Sequence, residues 1–311
     1  MARFSICLRA LFVIQLLSGG AGICAEGRAL LPPNEVELRK QEEILRSNEQ
    51  RVLENYTVDR TLADYAGAFS FDFESALARL TPSDRWLDIG AGKGVAVLDY
   101  FNPEYDKRNA EGLERRGRKA QAVAISVEDR RGDLWYQTTA RLAPDQLRYL
   151  FDKRMRDYSV AELGRFQVIT DMLGGFSYTD RLSGFMEKVL DLLELNGTFY
   201  TVLQDVNSEQ GTNKPFYPDA PYLTQLTAPG GAEVKVCSWL KSISCVEVSC
   251  ELKPRWKPPI EVYRIQKVCS KVEVPGLESL HFSAGTPPER RFRLVSGGKN
   301  PPSAVASPAA R

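Results

Sequence analysis

A chain of 311 residues that is 43% hydrophobic, with 14 Phe and four Trp, can bury one large core or two small ones. A net charge of +1 argues against a nucleic-acid partner held by bulk electrostatics. The single histidine, His281, lies near the C-terminus, which argues against a His-rich metal centre and a Ser-His-Asp hydrolase centre in the main body; no metal site is expected.

Residues 1–25 read as a secretory signal. Arg3 and Arg9 give a positive start, Ala10 to Leu17 an apolar run too short to cross a bilayer, and Ile23-Cys24-Ala25 a small-residue cleavage site. Ala21-Gly22-Ile23-Cys24 is a poor lipobox because Ile precedes the cysteine, so cleavage after Ala25 is favoured over lipidation. The chain is therefore expected to be exported, periplasmic or secreted, with no transmembrane span. Cleavage leaves Cys237, Cys245, Cys250 and Cys269, and an even set in an exported chain suggests disulfides.

Pro32-Pro33-Asn34 leads into a charged helical stretch, Glu35 to about Tyr56, with Leu38, Leu45 and Val52 on one apolar face. Tyr65, Phe69, Phe71 and Phe73 follow, either as core or as the lining of a pocket. Phe73 to Leu80 reads as a helix stopped by Thr81-Pro82, and residues 26–80 as a helical extension. Arg85 to Ile89 is a short buried strand running into a turn, Asp88-Ile89-Gly90-Ala91-Gly92-Lys93-Gly94, with a helix starting at Val95. Glycines belong where backbone takes positive φ or lets a ligand approach. The third glycine comes one residue earlier than in the dinucleotide fingerprint, and no Gly-Lys-Ser/Thr follows, which excludes a P-loop.

Asn102 to Lys119 is polar, with interleaved charges that read as a solvated face. Gln121 to Val127 is a second strand with Glu128 at its end and Asp129 as the competing acid. Gly132 to Arg148 reads as helical or mixed, and Tyr149-Leu150-Phe151 as a third strand, with Asp157 beyond it. Ser159 to Glu162 is a capping box, ended by Gly164. Phe166 to Thr170 is a fourth strand finishing in Asp171. Thr179 is expected to cap an amphipathic helix whose Leu182, Phe185, Met186, Val189, Leu190 and Leu193 share a face, with Asn196-Gly197 ending it. Thr198 to Leu203 is a fifth strand. Alternation of strand and helix argues a parallel sheet. After a polar loop, 207–221, two runs joined by a Pro-rich turn, Ile243 to Leu252 and Ile260 to Val268, read as an antiparallel pair. Cys245 and Cys250 lie an odd number of positions apart and would face opposite ways on one strand, so either reaches Cys237 or Cys269 and the pairing stays open. Residues 286–311 read as a Pro/Ala-rich, largely disordered tail.

With an acid two residues ahead of Gly90 and an apolar strand before it, the turn resembles motif I of the class I S-adenosylmethionine (SAM) dependent methyltransferases. The resemblance covers residues 81–285. It implies an α/β fold with a Rossmann-like, seven-stranded, mostly parallel sheet in the order 3-2-1-4-5-7-6 and helices on both faces. It also implies SAM as cofactor, held by Asp88, Gly90, Ala91, Gly92 and Gly94, by Glu128 at the ribose, by Asp157 at the adenine amino group and by Asp171 beside the sulfonium. The acceptor is expected to be a small molecule or a cell-envelope component. An acceptor that needs a base has Asp171, Tyr178 or Glu209 as candidates. The Asn/Asp-Pro-Pro-Tyr/Phe motif of amino methylation and the Pro-Cys nucleophile of cytosine methylation are both missing. A non-catalytic exported binding protein that retains the fold is the alternative, since SAM is made in the cytosol.

Overall fold

The computed structural model describes residues 59–69, 72–102, 120–204, 223–256, 259–283 and 289–295. The signal segment, the 35–56 helix, Phe71, the polar stretch from 103, Glu209, the 207–221 loop and most of the tail lie outside the described residues. No helix among the described residues is long and apolar enough to cross a membrane.

In chain order the elements are α1 (Leu62–Phe69), α2 (Phe73–Arg79), β1 (Arg85–Ile89), α3 (Val95–Phe101), β2 (Gln121–Ile125), α4 (Asp133–Thr139), β3 (Leu147–Leu150), α5 (Val160–Leu163), β4 (Phe166–Asp171) and α6 (Gly175–Tyr178). They continue with α7 (Leu182–Leu192), β5 (Leu193–Gln204), β6 (Leu223–Thr227), β7 (Glu233–Val234), α8 (Val236–Lys241), β8 (Val246–Lys253), β9 (Ile260–Lys267), β10 (Leu277–Ser283) and β11 (Glu289–Leu294). Seven strands form one sheet in the order β3-β2-β1-β4-β5-β9-β8. β1 to β5 pair in parallel, and β9 runs antiparallel to both β5 and β8. This is the expected sheet, strand for strand, with β8 and β9 as the antiparallel pair.

The central strand is buried on both faces, as parallel strands between helix layers must be. Trp86, Ala122, Val168 and Tyr200 pack on one side against α1, α2, α3 and α4. Leu87, Val123, Ile169 and Phe199 pack on the other against α5, α6, α7 and α8. The capping box forms as its residues dictate: Ser159 Oγ accepts from Glu162 N at 3.1 Å and the Glu162 carboxylate accepts from Ser159 N at 2.6 Å. Tyr65, Phe69 and Phe73 are core, with Phe69 edge-on to both Tyr65 and Phe73 and Phe73 edge-on to Tyr200.

Several local expectations give way. Thr179 does not cap α7; it closes α6, and Arg181 occupies the N-cap without a side-chain capping bond. Asn196-Gly197 lies inside β5 rather than ending α7, at a register shift where a Cβ on Gly197 would sit 2.9 Å from the Phe166 carbonyl. Cys245 precedes β8 instead of lying on it, with φ of 61°. The cysteines pair as Cys237–Cys250, with Cα atoms 6.2 Å apart, and Cys245–Cys269, at 5.0 Å. One bond ties α8 to β8 and the other spans the ends of the β8–β9 pair.

A second sheet, β10-β11-β6-β7, has no counterpart in the sequence reading. Its β11 falls within residues 286–311, where Pro and Ala content suggested disorder. Glu289 to Leu294 nevertheless alternates, with Arg290, Phe292 and Leu294 facing in, and pairs in parallel with β6. Leu226, Phe292 and Leu294 join the core on the α7 side.

Candidate active site

β1 delivers Gly90, Gly92 and Gly94 to the carboxyl edge of the sheet with φ of 72°, 55° and 72°. All three are left-handed, the region that costs side-chain-bearing residues most. The Gly90 and Ala91 amides donate to the Ile125 carbonyl at 2.9 and 3.0 Å, which stitches the turn to the end of β2. A Cβ on Gly90 would stand 2.8 Å from Gly174 Cα, so the loops after β1 and β4 meet backbone to backbone. A Cβ on Gly94 would stand 2.7 Å from the Trp135 ring, which α4 lays against the turn.

Asp88 and Asp171 lie under this edge, both fully buried. In register, Asp88 pairs with Thr170 and Ile89 with Asp171, so the two carboxylates leave opposite faces of the sheet. Asp88 accepts from the Thr170 hydroxyl at 2.7 Å and from the Tyr65 hydroxyl at 3.0 Å, and Trp86 Nε1 donates to Thr170 Oγ1 at 2.8 Å. Burial pushes Asp88 up to about 7 against the pull of those hydroxyls, and Asp171 adds to the rise. Burial also raises Tyr65 well above the usual phenol range, with the Asp88 charge adding to it. Asp171 accepts from Gly174 N at 2.8 Å and Phe176 N at 2.9 Å, which folds its own loop back over it. Burial pushes Asp171 up to about 7 too, opposed by the Phe176 and Gly174 amides and by the charge of Arg290. Both acids therefore shape the loops from beneath instead of presenting an oxygen to the open edge.

Glu128 does stand at that edge, and its carboxylate meets Arg130 Nη2 at 2.6 Å. Asp129 is exposed and takes a fork from Arg131, 2.8 Å from Nε and 2.7 Å from Nη2. The Arg131 guanidinium lies over the rings of Phe151, Tyr149 and Tyr136 at 5.1, 5.5 and 5.6 Å. Asp157 is exposed in a single turn of 3-10 helix, where it accepts from Arg154 N at 3.3 Å. Asp152 is nearer: it lies two residues past the end of β3, and its amide donates to the Val127 carbonyl, one residue from Glu128, at 3.2 Å. Like Glu128, Asp152 is an acid just past a parallel strand, and the same positional signal marks both. Tyr178 is half-buried at the end of α6. On the opposite side of the turn, Arg60 Nη1 donates to the Met172 carbonyl at 3.4 Å and Lys93 approaches Asp59 at 3.8 Å, so the start of the α1 segment crosses the edge above both loops.

The fold and this edge define a Rossmann-like α/β protein with a glycine turn, an acid-ended β2 and two sealed acids. No protein-family model matches the chain, and no curated protein matches it in sequence. Similar solved structures include an rRNA methylase from Streptococcus thermophilus, at 12% identity over 63% of this chain and 95% of that one, with a TM-score of 0.35. The plantazolicin methyltransferase BpumL in complex with SAH is 12% identical over 73% of this chain and 90% of its own, at 0.41. Precorrin-6y C5,15-methyltransferase from Geobacter metallireducens is 14% identical over 62% and 84%, at 0.35. Likenesses this remote leave the functional reading to the chain's own residues.

Proposed function

We propose that this chain is an exported SAM-dependent methyltransferase acting on a small-molecule or cell-envelope acceptor. One observation carries the reading: a turn with three left-handed glycines, bonded to the end of an acid-terminated β2, at the carboxyl edge of a sheet whose last strands run antiparallel. Open α/β sheets bind ligands at this edge. A nucleoside fits the donor set there, since the Glu128 carboxylate can accept from two vicinal hydroxyls while the glycine backbone admits the 5′ substituent closely. When bound, SAM supplies a methyl group on a sulfonium that leaves by in-line displacement. Gly90, Ala91, Gly92 and Gly94 hold that substituent, Asp88 and Asp171 fix the two loops from below, and Asp152 takes the place of Asp157 as the acid for the adenine amino group. Holding donor and acceptor in line accounts for several kcal/mol of such a barrier, on the order of 7 or more in favourable cases, without a covalent nucleophile.

Calorimetry with SAM and S-adenosylhomocysteine (SAH) tests the cofactor. Micromolar binding, lost in Gly92→Ala, supports it; no binding by the parent chain sinks it. The two disulfides and the N-terminal signal pattern support export, which mass spectrometry of the N-terminus and of thiol state tests: an intact N-terminus with all six cysteines as free thiols contradicts it. The sealed Asp171 favours a second reading, a non-catalytic binding protein on the same fold, because neither Asp88 nor Asp171 faces an acceptor. Release of SAH from SAM in acceptor-containing extract separates the two, since a binding protein yields none.

A further inference from the structure

Tyr149 sits on β3, yet its hydroxyl reaches both halves of the candidate site. It donates to the Gly92 carbonyl in the middle of the glycine turn and lies 3.2 Å from the Glu128 carbonyl, while Arg130 N donates to it at 3.3 Å. Its ring is buried, stands edge-on to Trp135 at 5.0 Å, and Trp135 in turn fills the space beside Gly94 that a side chain there would take. The turn and the β2 loop belong to different crossovers. One phenol group thus fixes the spacing between the backbone of Gly92 and the residues that carry Glu128.

From this geometry we infer that Tyr149 is a positioning residue that aligns the glycine turn with the Glu128 loop, so that a ligand spanning both is held at its ribose and at its 5′ substituent together. The inference rests on the nucleoside reading of the site. A ligand held at two points loses affinity when their spacing loosens, because the second contact is no longer prepaid by the first. A ligand touching only one point does not notice. SAH spans both; adenosine ends at the ribose.

Tyr149→Phe removes the hydroxyl and keeps the ring against Trp135, so the aromatic column and the fold have no reason to fail. Calorimetry on the full chain should show SAH binding weakened about tenfold, the scale of one hydrogen bond, with adenosine changed less than about twofold. Equal loss for both ligands, or no loss for either, overturns the inference: the first marks general destabilisation and the second an idle contact. Amide exchange on the ligand-free chain supplies a readout that needs no nucleoside. Residues 90–94 should exchange several-fold faster in Tyr149→Phe while β4 and β5 stay as protected as in the parent; unchanged exchange at 90–94 overturns the coupling. A parent that binds neither SAH nor adenosine refutes the nucleoside reading, and the exchange result then still decides whether Tyr149 joins the two loops.

Discussion

Replacing Asp88 by Asn should change how stability depends on pH, and the size follows from the burial of that carboxylate. Asp88 is fully buried, and burial carries it from an ordinary 3.8 to about 7, roughly three pH units. At about 1.4 kcal/mol per unit, ionising it in the fold costs on the order of 4 kcal/mol more than ionising it in the unfolded chain. The folded pKa is raised, so this stability is fully present below about pH 4. It is lost as pH rises towards 7 and is gone above it, where the native state no longer holds the extra proton. Asp171, also near 7, is coupled to it, so the two titrate as a pair and removing one charge lowers the other's midpoint. Asn keeps the shape and the acceptor for Thr170 but cannot ionise. Urea unfolding of parent and Asp88→Asn from about pH 5 to about pH 8 should show the variant gaining on the parent by about 2–4 kcal/mol across that range. Taking the difference between the two proteins cancels the titrating groups that do not couple to Asp88. A difference that stays flat across the range refutes the argument, because it means that Asp88 is ionised or protonated alike in both states.

Tyr65→Phe removes one hydroxyl from the same carboxylate. It should cost about 1–3 kcal/mol and cost more at pH 8 than at pH 5, since the bond favours the ionised acid; an equal cost at both pH values contradicts this. Gly90→Ala places a methyl group 2.8 Å from Gly174 Cα on a residue with φ of 72°. A loss of about 2 kcal/mol or more is expected from the left-handed backbone and the contact together, visible as a lower melting temperature and as loss of SAH binding; a variant as stable as the parent shows that the two loops are not held together. Removing the Cys237–Cys250 bond by a double Ser substitution opens a link between residues 13 apart, with an expected cost of about 3 kcal/mol. Reductant should bring the parent down towards the variant, and a parent indifferent to reductant shows that the bond does not form.

The parallel part of the seven-stranded sheet was legible because three of its strands are short apolar runs closed by a residue with one clear job: Gly90 after β1, Glu128 after β2, Asp171 at the end of β4. Periodicity gave α7 its buried face for the same reason. Helix ends were harder. Thr179 and Asn196-Gly197 have the right composition for caps, but the chain uses Thr179 to close α6 and Asn196-Gly197 to slip β5 past β4, and only the neighbouring strand decides that. The second sheet was hidden for a similar reason. Glu289 to Leu294 alternates, but four of its residues are charged and its parallel partner β6 lies far away in sequence, so no local pattern announces the pairing. Tyr149 was visible only as a strand residue, because the carbonyl it bonds belongs to a turn 57 positions earlier.

The two acids carry the sharpest lesson about reading roles from position. Each falls where the sequence pattern puts a ligand-binding carboxylate, and each is fully buried and bonded within the fold. Asp171 bonds Gly174, and Gly174 is the residue on which Gly90 rests. Asp88 bonds Thr170 on β4 and Tyr65 on α1, and so ties the strand that leads into the turn to one neighbouring strand and to the helix over that face. The shape of the glycine turn therefore depends on two coupled acids, each pushed up to about 7 by burial. Any ligand that requires this shape inherits that dependence, because a carboxylate that loses its proton in the core must be re-solvated or re-bonded, and the groups able to respond are the amides and hydroxyls that hold the loops in place. Stability and affinity at this edge are then two measurements of one equilibrium.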